Sequence, residues 1–346
     1  MKTIAVVTSS PPFVEGGHLV IARSLVSALR DAGHTADLVL TPQNRFGRQG
    51  AAYLANWLTD VGRTADGQPI DQVISLRFPS YAVRHPAHVC WLNHTMREYY
   101  DLWDKVYPTL SRKGRVKESV RRRLVHTADR YLLTRNVRRL FVLSETVRRR
   151  YAAWPELKAD VLYPPAPPRP YRVDDYEPYL FTVSRFTSLK RLSLIVEALA
   201  RPEAAGIRAV LAGDGENHAE ISALVRARGL EDRVSLPGRL DERALVDHLA
   251  RCRAVVFAPF DEDFGFVTVE AFAAARPVVT CLDSGGPAEL VADGVSGLVT
   301  APSPEALASA FRRLIDDRDL AARLGAEGAR RAQSLTWPAT VARLVL

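Results

Sequence analysis

The sequence predicts an α/β protein with two doubly wound parallel sheets, and three observations support that fold class. Short apolar runs alternate with amphipathic stretches along the 346 residues. A proline-rich segment, YPPAPPRPYRVDDYEP at 163–178, interrupts the alternation with six prolines in sixteen residues. The alternation then starts again. Strand–helix–strand repetition favours a parallel sheet covered on both faces, and a chain of this length has room for two domains.

The N-terminal half supplies the first predicted sheet. IAVVTS (4–9) has the composition of a buried strand, and LVIARSLVSALRDAG (19–33) has helical spacing and ends at a glycine suited to a C-cap. ADLVLT (36–41) is the next strand. Further strand signals follow at DQVISL (71–76), HVCWLNH (88–94) and LFVLS (140–144).

The C-terminal half repeats the pattern after the proline-rich linker, since proline cannot donate to a sheet ladder and disfavours helix. The predicted strands are YLFTVSR (179–185), IRAVLAG (207–213), VSLPG (234–238), AVVFAP (254–259), PVVTC (277–281) and GLVT (297–300). The predicted helices are 190–200, 218–229, 241–252, 267–275, 286–291 and one long helix over 304–334.

Composition indicates a globular protein, with 47% apolar and 25% charged residues. No apolar run approaches the roughly 18 residues of a membrane helix, and MKTIAVVTSSPPF lacks the regions of a signal peptide. Cys90, Cys252 and Cys281 are far apart and not in metal-ligand spacing, so we expect buried, reduced thiols. The expected location is cytoplasmic, with a peripheral position at the inner membrane face as an alternative.

Positive charge is concentrated in the N-terminal half. Residues 1–170 carry 26 Lys and Arg against 14 Asp and Glu, and residues 111–150 alone carry fourteen against three. In this stretch Val116, Val120, Leu124 and Ala128 follow helical spacing, which predicts a core face with basic residues elsewhere. Its interpretations are a solvated helix, which we favour, a membrane-surface patch, or a site for an anionic acceptor; nucleic-acid binding lacks a recognition module.

Charged residues follow several predicted strands, where ligands bind in open α/β sheets. Arg185 ends a strand, and Lys190 comes five residues later at a helix start. A cationic pair beside a helix N-terminus can trap an anion, although ordinary surface charges would give the same pattern.

Glycine-rich turns occur at two similar positions. Gly213-Asp214-Gly215 ends a strand and opens a helix, but His218 stands where a dinucleotide fingerprint needs a third glycine, so a plain turn is an equal interpretation. Gly16 and Gly17 precede the first helix and suit a backbone that passes close to a phosphate, or a simple turn.

Two glutamates flank a third glycine turn. Glu262 lies in the loop after a strand, and Glu270 is expected on the first turn of the helix that follows Gly265. Both carboxylates can face one cleft and bind sugar or ribose hydroxyls, with phosphates at the helix N-terminus between them. Two exposed carboxylates are the alternative that spacing alone leaves open.

Taken together, these motifs resemble a known family. Arg185, Lys190, the Gly213–Gly215 turn, Pro237-Gly238, PFDEDFGFVTVEAFAAARPVV and SGGPAELVADGVSGLV occur in the order and spacing of retaining family-4 glycosyltransferases (glycosyl transferases group 1). The resemblance covers nearly all of 179–346. It is looser in the N-terminal half, through Gly16-Gly17, WLNHTMREYYDLWD (91–104) and FVLSETVRRRY, where the aromatic residues equally suit a core.

The resemblance implies the GT-B fold, with two doubly wound Rossmann-like domains facing across a cleft. Residues 1–168 would form an acceptor-binding domain, with a C-terminal helix at 335–346 that packs back on it. Residues 169–334 would form the nucleotide-sugar-binding domain.

The resemblance also implies roles for single residues. Arg185 and Lys190 would bind the donor diphosphate and stabilise the leaving charge. Glu262 would sit at the donor sugar, and His94 would line the reaction face as the family's N-domain histidine. The remaining donor-binding residues would be Gly16, Gly17, Gly213, Asp214, Gly215, Arg239 near the nucleobase, the backbone of Phe264, Gly265, Phe266 and Val267, and Glu270 at the ribose.

The implied function is retaining transfer of a hexosyl group from a nucleoside-diphosphate sugar to an acceptor hydroxyl. The family needs no metal or cofactor, since cations at a helix N-terminus stabilise the leaving group, and a UDP- or GDP-sugar is the expected substrate. The acceptor would be a glycan, a lipid-linked sugar or a small molecule, with membrane contact through 111–150 as a further partner. Alternatives are a catalytically idle sugar-nucleotide binding protein or another GT-B enzyme such as a sugar-nucleotide epimerase.

Overall fold

A computed structural model describes residues 1–13, 16–44 and 46–346. The chain forms two compact units. Unit 1 contains Met1–Pro164 and Thr336–Leu346, and unit 2 contains Pro165–Leu335. The boundaries lie within a few residues of those expected from the sequence. Each unit has its own sheet, and each is described by itself below.

Unit 1 is built on a six-stranded sheet in which every pair of adjacent strands is parallel. Its strand order is 2-1-3-4-5-6 in chain numbering. The strands are β1 (Thr3–Ser10), β2 (Thr35–Pro42), β3 (Gln72–Ser75), β4 (His88–Leu92), β5 (Arg139–Val142) and β6 (Ala159–Val161). Helices in the same stretch are α1 (Gly17–Asp31), α2 (Gln49–Leu58), α3 (Trp103–Val106), α4 (Arg112–Tyr131) and α5 (Glu145–Arg149).

The basic helix α4 is turned the opposite way from the predicted orientation. Val116, Val120 and Leu124, expected in the core, are 68%, 52% and 65% exposed, and Ala128 is half-buried. The buried residues of the helix are Glu118, Val125 and Asp129. The predicted core face is therefore wrong, and its apolar stripe faces solvent.

Tyrosine hydroxyls explain why a helix can bury its carboxylates. Asp129 accepts hydrogen bonds from Tyr53, Tyr81 (2.5 Å) and Tyr100 (2.6 Å). Glu118 accepts a 2.6 Å hydrogen bond from Tyr99. A buried carboxylate is tolerated when its oxygens are satisfied in this way. Burial raises the pKa of Asp129 to about 6, and the three hydroxyl donors oppose that rise.

The aromatic segment 91–104, which begins within β4, contributes several side chains to the core. Trp91 and Tyr99 are fully buried, and Met96 is nearly so. The core interpretation therefore holds for these side chains. The three cysteines are buried and free, as expected, and burial raises the pKa of the Cys90 and Cys252 thiols to about 12.

Unit 2 contains a second parallel sheet of six strands. The strands are β7 (Glu177–Val183), β8 (Arg208–Ala212), β9 (Val234–Ser235), β10 (Cys252–Val256), β11 (Val278–Cys281) and β12 (Gly297–Thr300), in the order β12-β11-β10-β7-β8-β9. The first helices are α6 (Leu192–Leu199), α7 (His218–Ala227), α8 (Glu242–Arg251), α9 (Phe266–Ala273) and α10 (Gly286–Leu290).

The long helix predicted over 304–334 is instead two helices, α11 (Pro304–Asp316) and α12 (Arg318–Gln333). Asp317 separates them, because its side chain caps α12 by accepting a 2.7 Å hydrogen bond from the Leu320 amide. The last helix, α13 (Trp337–Leu344), belongs to unit 1. There the Leu344 carbonyl accepts a 2.7 Å hydrogen bond from the Gln72 side chain of β3.

Candidate functional site

The strand order of unit 2 reverses between β7 and β10, which lie side by side at the centre of the sheet. From β7 the chain moves outward through β8 and β9, and from β10 it moves outward through β11 and β12. At such a reversal the loops leave the carboxyl ends of the two strands in opposite directions and open a crevice that binds ligands. The predicted residues Arg185 and Lys190 follow β7, and Glu262 follows β10.

Lys190 and Glu262 form an ion pair at this position. The Lys190 Nζ lies 2.6 Å from the Glu262 Oε2, and the two side chains are only 16% and 20% exposed. Lys190 ends a short 3₁₀ turn, Ser188–Lys190, before α6, and its ammonium lies 5.3 Å from the centre of the Phe257 ring. The carboxylate and the ring hold the cation in one place without covering it completely.

Arg185 supplies a second cation near the same strand end. Its side chain is exposed and makes no hydrogen bond or ion pair with any residue that the structure describes. Its loop is nevertheless fixed, because the amide of Phe186 donates a 2.9 Å hydrogen bond to the Asp214 carbonyl. The guanidinium is therefore available to an anion on a loop whose backbone is anchored.

The Gly213-Asp214-Gly215 turn supports the Arg185 loop. A Cβ on Gly213 would collide with the Ser184 carbonyl, and a Cβ on Gly215 would lie 2.5 Å from the Phe186 carbonyl oxygen. The absence of side chains lets the loops after β7 and β8 pack backbone to backbone. The described contacts thus give these glycines a structural role in positioning Arg185.

The loop that carries Glu262 is held by the loop after β11. The amide of Glu262 donates a 3.0 Å hydrogen bond to the Ser284 carbonyl, and the amide of Gly286 donates a 2.9 Å bond to the Glu262 carbonyl. Gly285, at φ +70°, has no room for a side chain, because a Cβ there would lie 2.5 Å from the Glu262 carbonyl oxygen. These contacts fix the backbone from which the carboxylate projects.

Arg191 joins the two loops, and sequence analysis missed it. Its guanidinium makes two 2.7 Å bonds to the Asp283 carboxylate, and it donates to the carbonyls of Ala258 (2.8 Å) and Pro259 (2.7 Å) at the end of the strand region. Its backbone is left-handed at φ +49°. Because Lys190 precedes it directly, this fork ties the Lys190 turn to the Glu262 loop. No sequence signal marked it, since its carboxylate partner is 92 residues away.

The N-terminus of α9 presents free amides. Gly265 caps the helix at φ +82°, and the Phe266 and Val267 amides make no hydrogen bonds within the described chain. Phe264 buries its side chain, so only its backbone can face a ligand. Unpaired amides at a helix start carry partial positive charge and favour a bound anion.

Glu270 lies apart from the Lys190–Glu262 pair in its contacts. It is the fifth residue of α9, so it falls on the second turn and not on the first as expected. Its buried carboxylate pairs with Arg169 through Oε1, and the Tyr171 hydroxyl lies 3.4 Å from the same atom. Oε2 has no hydrogen-bond partner among the described residues.

Arg169 is the second functional candidate that sequence analysis missed. It belongs to the proline-rich segment, whose composition indicated only a linker. In the structure Arg169 also pairs with Glu242 at 3.3 Å, and it is itself only 15% exposed. This part of the linker is therefore integrated into unit 2, where it orients one oxygen of Glu270.

The other predicted residues are Arg239 in unit 2 and Gly16, Gly17 and His94 in unit 1. Arg239 is exposed in the loop after β9 and has no partner among the described residues. In unit 1, Gly16 is the N-cap of α1 and Gly17 is its first residue. His94 follows β4, and its Nδ1 lies 2.6 Å from the Thr95 carbonyl oxygen.

Comparison with known proteins shows a similarity that covers nearly all of unit 2. Residues 168–331 match the family model "Glycosyl transferases group 1". The chain is 32% identical over 163 residues to an alpha-D-kanosaminyltransferase of Streptomyces kanamyceticus, covering 46% of this chain and 42% of that protein. It is 34% identical over 185 residues to a D-inositol 3-phosphate glycosyltransferase of Kineococcus radiotolerans, covering 48% and 42%. The matched part thus spans less than half the length of these curated relatives.

Solved structures match over nearly the whole chain. A sucrose-phosphate synthase from Thermosynechococcus elongatus has a TM-score of 0.74 at 18% identity and covers 98% of this chain and 96% of its own. Anabaena HepE in complex with UDP and glucose has a TM-score of 0.71 at 18% identity, with 98% of each chain covered. These likenesses confirm the GT-B fold with its two Rossmann-like domains. Through residues 168–331, the chain is similar to the glycosyl transferases group 1 family.

Proposed function

We propose that this protein is a retaining glycosyltransferase that moves a hexosyl group from a nucleoside-diphosphate sugar to an acceptor hydroxyl. The observation that carries the proposal is the Lys190–Glu262 pair at the strand reversal, with the unpaired Arg185 on the neighbouring loop. The curated relatives support transfer of a glycosyl group, and the HepE structure with bound UDP supports a uridine nucleotide as one donor class.

The proposed chemistry assigns a task to each charge. The donor diphosphate binds Arg185, Lys190 and the free amides of Phe266 and Val267. As the bond from the sugar C1 to the phosphate oxygen breaks, negative charge grows on that oxygen, and the two cations stabilise it. The acceptor oxygen forms the new bond to C1 from the same face, and its proton passes to the departing phosphate oxygen. The side chains provide the positive charge, so we propose that no metal is needed.

The carboxylates recognise the neutral parts of the donor. Glu262 would bind the sugar hydroxyls while it holds the Lys190 ammonium in place, and Glu270 would accept a ribose hydroxyl through its free Oε2. Carboxylate oxygens accept such hydrogen bonds well, since a charged acceptor roughly doubles their strength. Unit 1 would bind the acceptor and provide His94, the role that the family resemblance gives it.

The test is a donor screen with matched variants. Purified protein is incubated with a panel of UDP- and GDP-sugars, with and without a metal chelator, and nucleoside-diphosphate release and product mass are followed. We expect release from at least one sugar, unaffected by the chelator and reduced by about 100-fold or more in Lys190→Ala. Arg226→Ala removes an exposed cation on α7 and is the control that should retain activity.

Two other results would overturn the proposal. Nucleoside-diphosphate binding that stabilises the protein without turnover on any acceptor would favour the catalytically idle binding protein. Conversion of the donor into an isomeric nucleotide sugar would favour an epimerase.

A further inference from the structure

Helix α4 carries an apolar stripe on its solvent side, and no described part of the protein covers it. The stripe consists of Val116, Val120, Leu124 and Tyr131, which fall on one face by helical spacing. Each is more than half exposed. Large apolar side chains repeated along one exposed helix face indicate an interaction surface rather than scattered surface residues.

Helix α2 extends this apolar surface. Leu54 and Leu58 are 58% and 66% exposed. A groove of 740 Å³ separates α2 from α4, and its walls are mainly apolar. The residues that line it from the two helices include Ala51, Leu54, Trp57, Leu124, Ala128 and Tyr131. We call the stripe together with this groove the α2–α4 face.

The charges of α4 surround the stripe with a single sign. The helix has eight Lys and Arg residues and two acidic residues, and both acidic residues, Glu118 and Asp129, are buried under tyrosines. Every charged residue that the helix exposes to solvent is therefore positive. Four of its cations make no ion pair, side-chain hydrogen bond or ring contact with any described residue, namely Arg112, Lys113, Lys117 and Arg123.

We propose that the α2–α4 face docks on the surface of an anionic lipid bilayer. Helix α4, 20 residues long, would lie in the plane of the interface, with its valines and leucine among the upper acyl chains and its free cations at the headgroups. Consistent with binding at the surface, no described helix is long and apolar enough to span a bilayer. This inference does not depend on the proposed enzymatic activity.

Other occupants fit this face less well. A symmetric contact with a second copy would bring one positive rim against another, which is repulsive. Nucleic acid would satisfy the cations but leave the apolar centre against phosphates. An anionic bilayer matches both the apolar centre and the positive rim.

The test is co-sedimentation of the full chain with phosphatidylcholine vesicles that contain or lack phosphatidylglycerol. We expect binding to the anionic vesicles that weakens with added salt, and binding to pure phosphatidylcholine that is about ten-fold weaker or more. The double variant Val120→Ser/Leu124→Ser keeps every charge and should bind the anionic vesicles about ten-fold less tightly. Lys113→Gln/Lys117→Gln should lose much of the preference for anionic lipid.

Matched controls remove similar groups elsewhere. Val173→Ser/Val295→Ser removes two exposed apolar side chains, and Arg226→Gln/Arg313→Gln removes two exposed cations, all in unit 2. Both should bind as the wild type does. Circular dichroism checks that each variant is folded, which the exposure of the substituted residues leads us to expect.

Three results would overturn the proposal. Equal binding to both kinds of vesicle would contradict the role of the positive rim. Unchanged binding of the serine variant would show that the apolar stripe does not enter the bilayer. A concentration-dependent dimer that the serine substitutions abolish, together with absence of vesicle binding, would assign the face to self-association.

Discussion

The ammonium of Lys190 lies 2.6 Å from the carboxylate of Glu262. The two residues follow adjacent strands of the sheet, from which the chain continues toward opposite edges. Lys190 follows β7, Glu262 follows β10, and 72 positions separate them in the chain. Each charge therefore neutralises the other until a ligand competes for one of them. Different results are expected when either partner is removed.

Lys190→Met should lower the affinity for a nucleoside diphosphate by about 10- to 100-fold, because it removes a charge-assisted contact to phosphate. Glu262→Gln should retain or increase that affinity, since the ammonium is no longer shared, while glycosyl transfer falls by about 100-fold. Calorimetric titration with UDP and GDP measures the affinities. Equal losses of affinity in the two variants would contradict separate roles.

Arg191→Ala and Arg191→Lys should both lose nucleotide affinity and about 2 kcal/mol of stability, because lysine cannot reproduce the fork to Asp283 and two carbonyls. Arg312→Ala is the matched control. Arg312 also donates to two backbone carbonyls, those of Glu203 and Ala205, but it lies on α11. Its loss should lower the melting temperature and leave nucleotide affinity unchanged; the same result for Arg191 would reduce that residue to a structural role.

Gly213→Ala should destabilise unit 2 by about 3 kcal/mol, since its Cβ would displace the Ser184 carbonyl and the Arg185 loop with it. Gly229→Ala tests the cost of the backbone conformation alone. Gly229 has φ +62° and open space around it, so about 1 kcal/mol is expected. Urea unfolding midpoints of the two variants measure this difference, and similar midpoints would refute the collision.

Arg169→Ala should weaken nucleoside-diphosphate binding by about 10-fold, because Glu270 would lose the partner that orients its carboxylate toward a ribose hydroxyl. Titration with a nucleoside diphosphate and with the ribose-free pyrophosphate distinguishes the site of the effect. The loss should appear for the nucleotide alone. Tighter nucleotide binding in the variant would instead mean that Arg169 competes with the ligand for Glu270.

Asp129 should make unit 1 less stable as the pH rises from about 4 to about 6. Burial raises the pKa of its carboxyl from 3.8 to about 6, so between these values the folded state binds more protons than the unfolded state. The stabilisation present at low pH and lost through this window amounts to about 3 kcal/mol. The Asp129→Asn variant has no carboxyl group at this position, so its stability should lack this dependence on pH.

The measurement for Asp129 is the difference in unfolding free energy between wild type and Asp129→Asn at about pH 4, the lower end of the window, and at about pH 7, above it. His88 has the opposite effect, since burial lowers the pKa of that histidine to about 4, so its contribution is lost as the pH falls. His88 is present in both proteins, and its effect cancels in the difference. A difference that does not change with pH would contradict the assigned pKa.

Local patterns were sufficient to predict the sheets and the strand ends. The alternation of apolar runs with amphipathic stretches depends on residues close in sequence, and parallel strands place their carboxyl ends at one edge. The positions of Lys190 and Glu262 after two strands therefore followed from spacing. To predict that the two side chains are in contact, one must also know that β7 and β10 are neighbours in the sheet. The spacing of residues along the chain does not give that order.

The errors on α4 and at Arg169 concern side chains whose partners are far away in the chain. The spacing of Val116, Val120 and Leu124 indicated one helix face correctly, but not which face is buried. That choice depends on Tyr53 and Tyr81, which satisfy Asp129 from 76 and 48 positions away. The partner of Arg169 is likewise distant, since Glu270 is 101 positions away. The proline content of its segment suggested only a linker.

The polypeptide enters unit 2 once, after Pro164, and returns to unit 1 at Thr336. Unit 2 is consequently a single uninterrupted fragment, 165–335, that a gene can encode without rearrangement. Unit 1 is not: a protein cut at Pro164 would lack α13, leaving the Gln72 amide without the Leu344 carbonyl and the Trp91 ring without its edge contact to Trp337. To produce unit 1 separately, a short peptide linker would have to join Pro164 to Thr336 in place of residues 165–335.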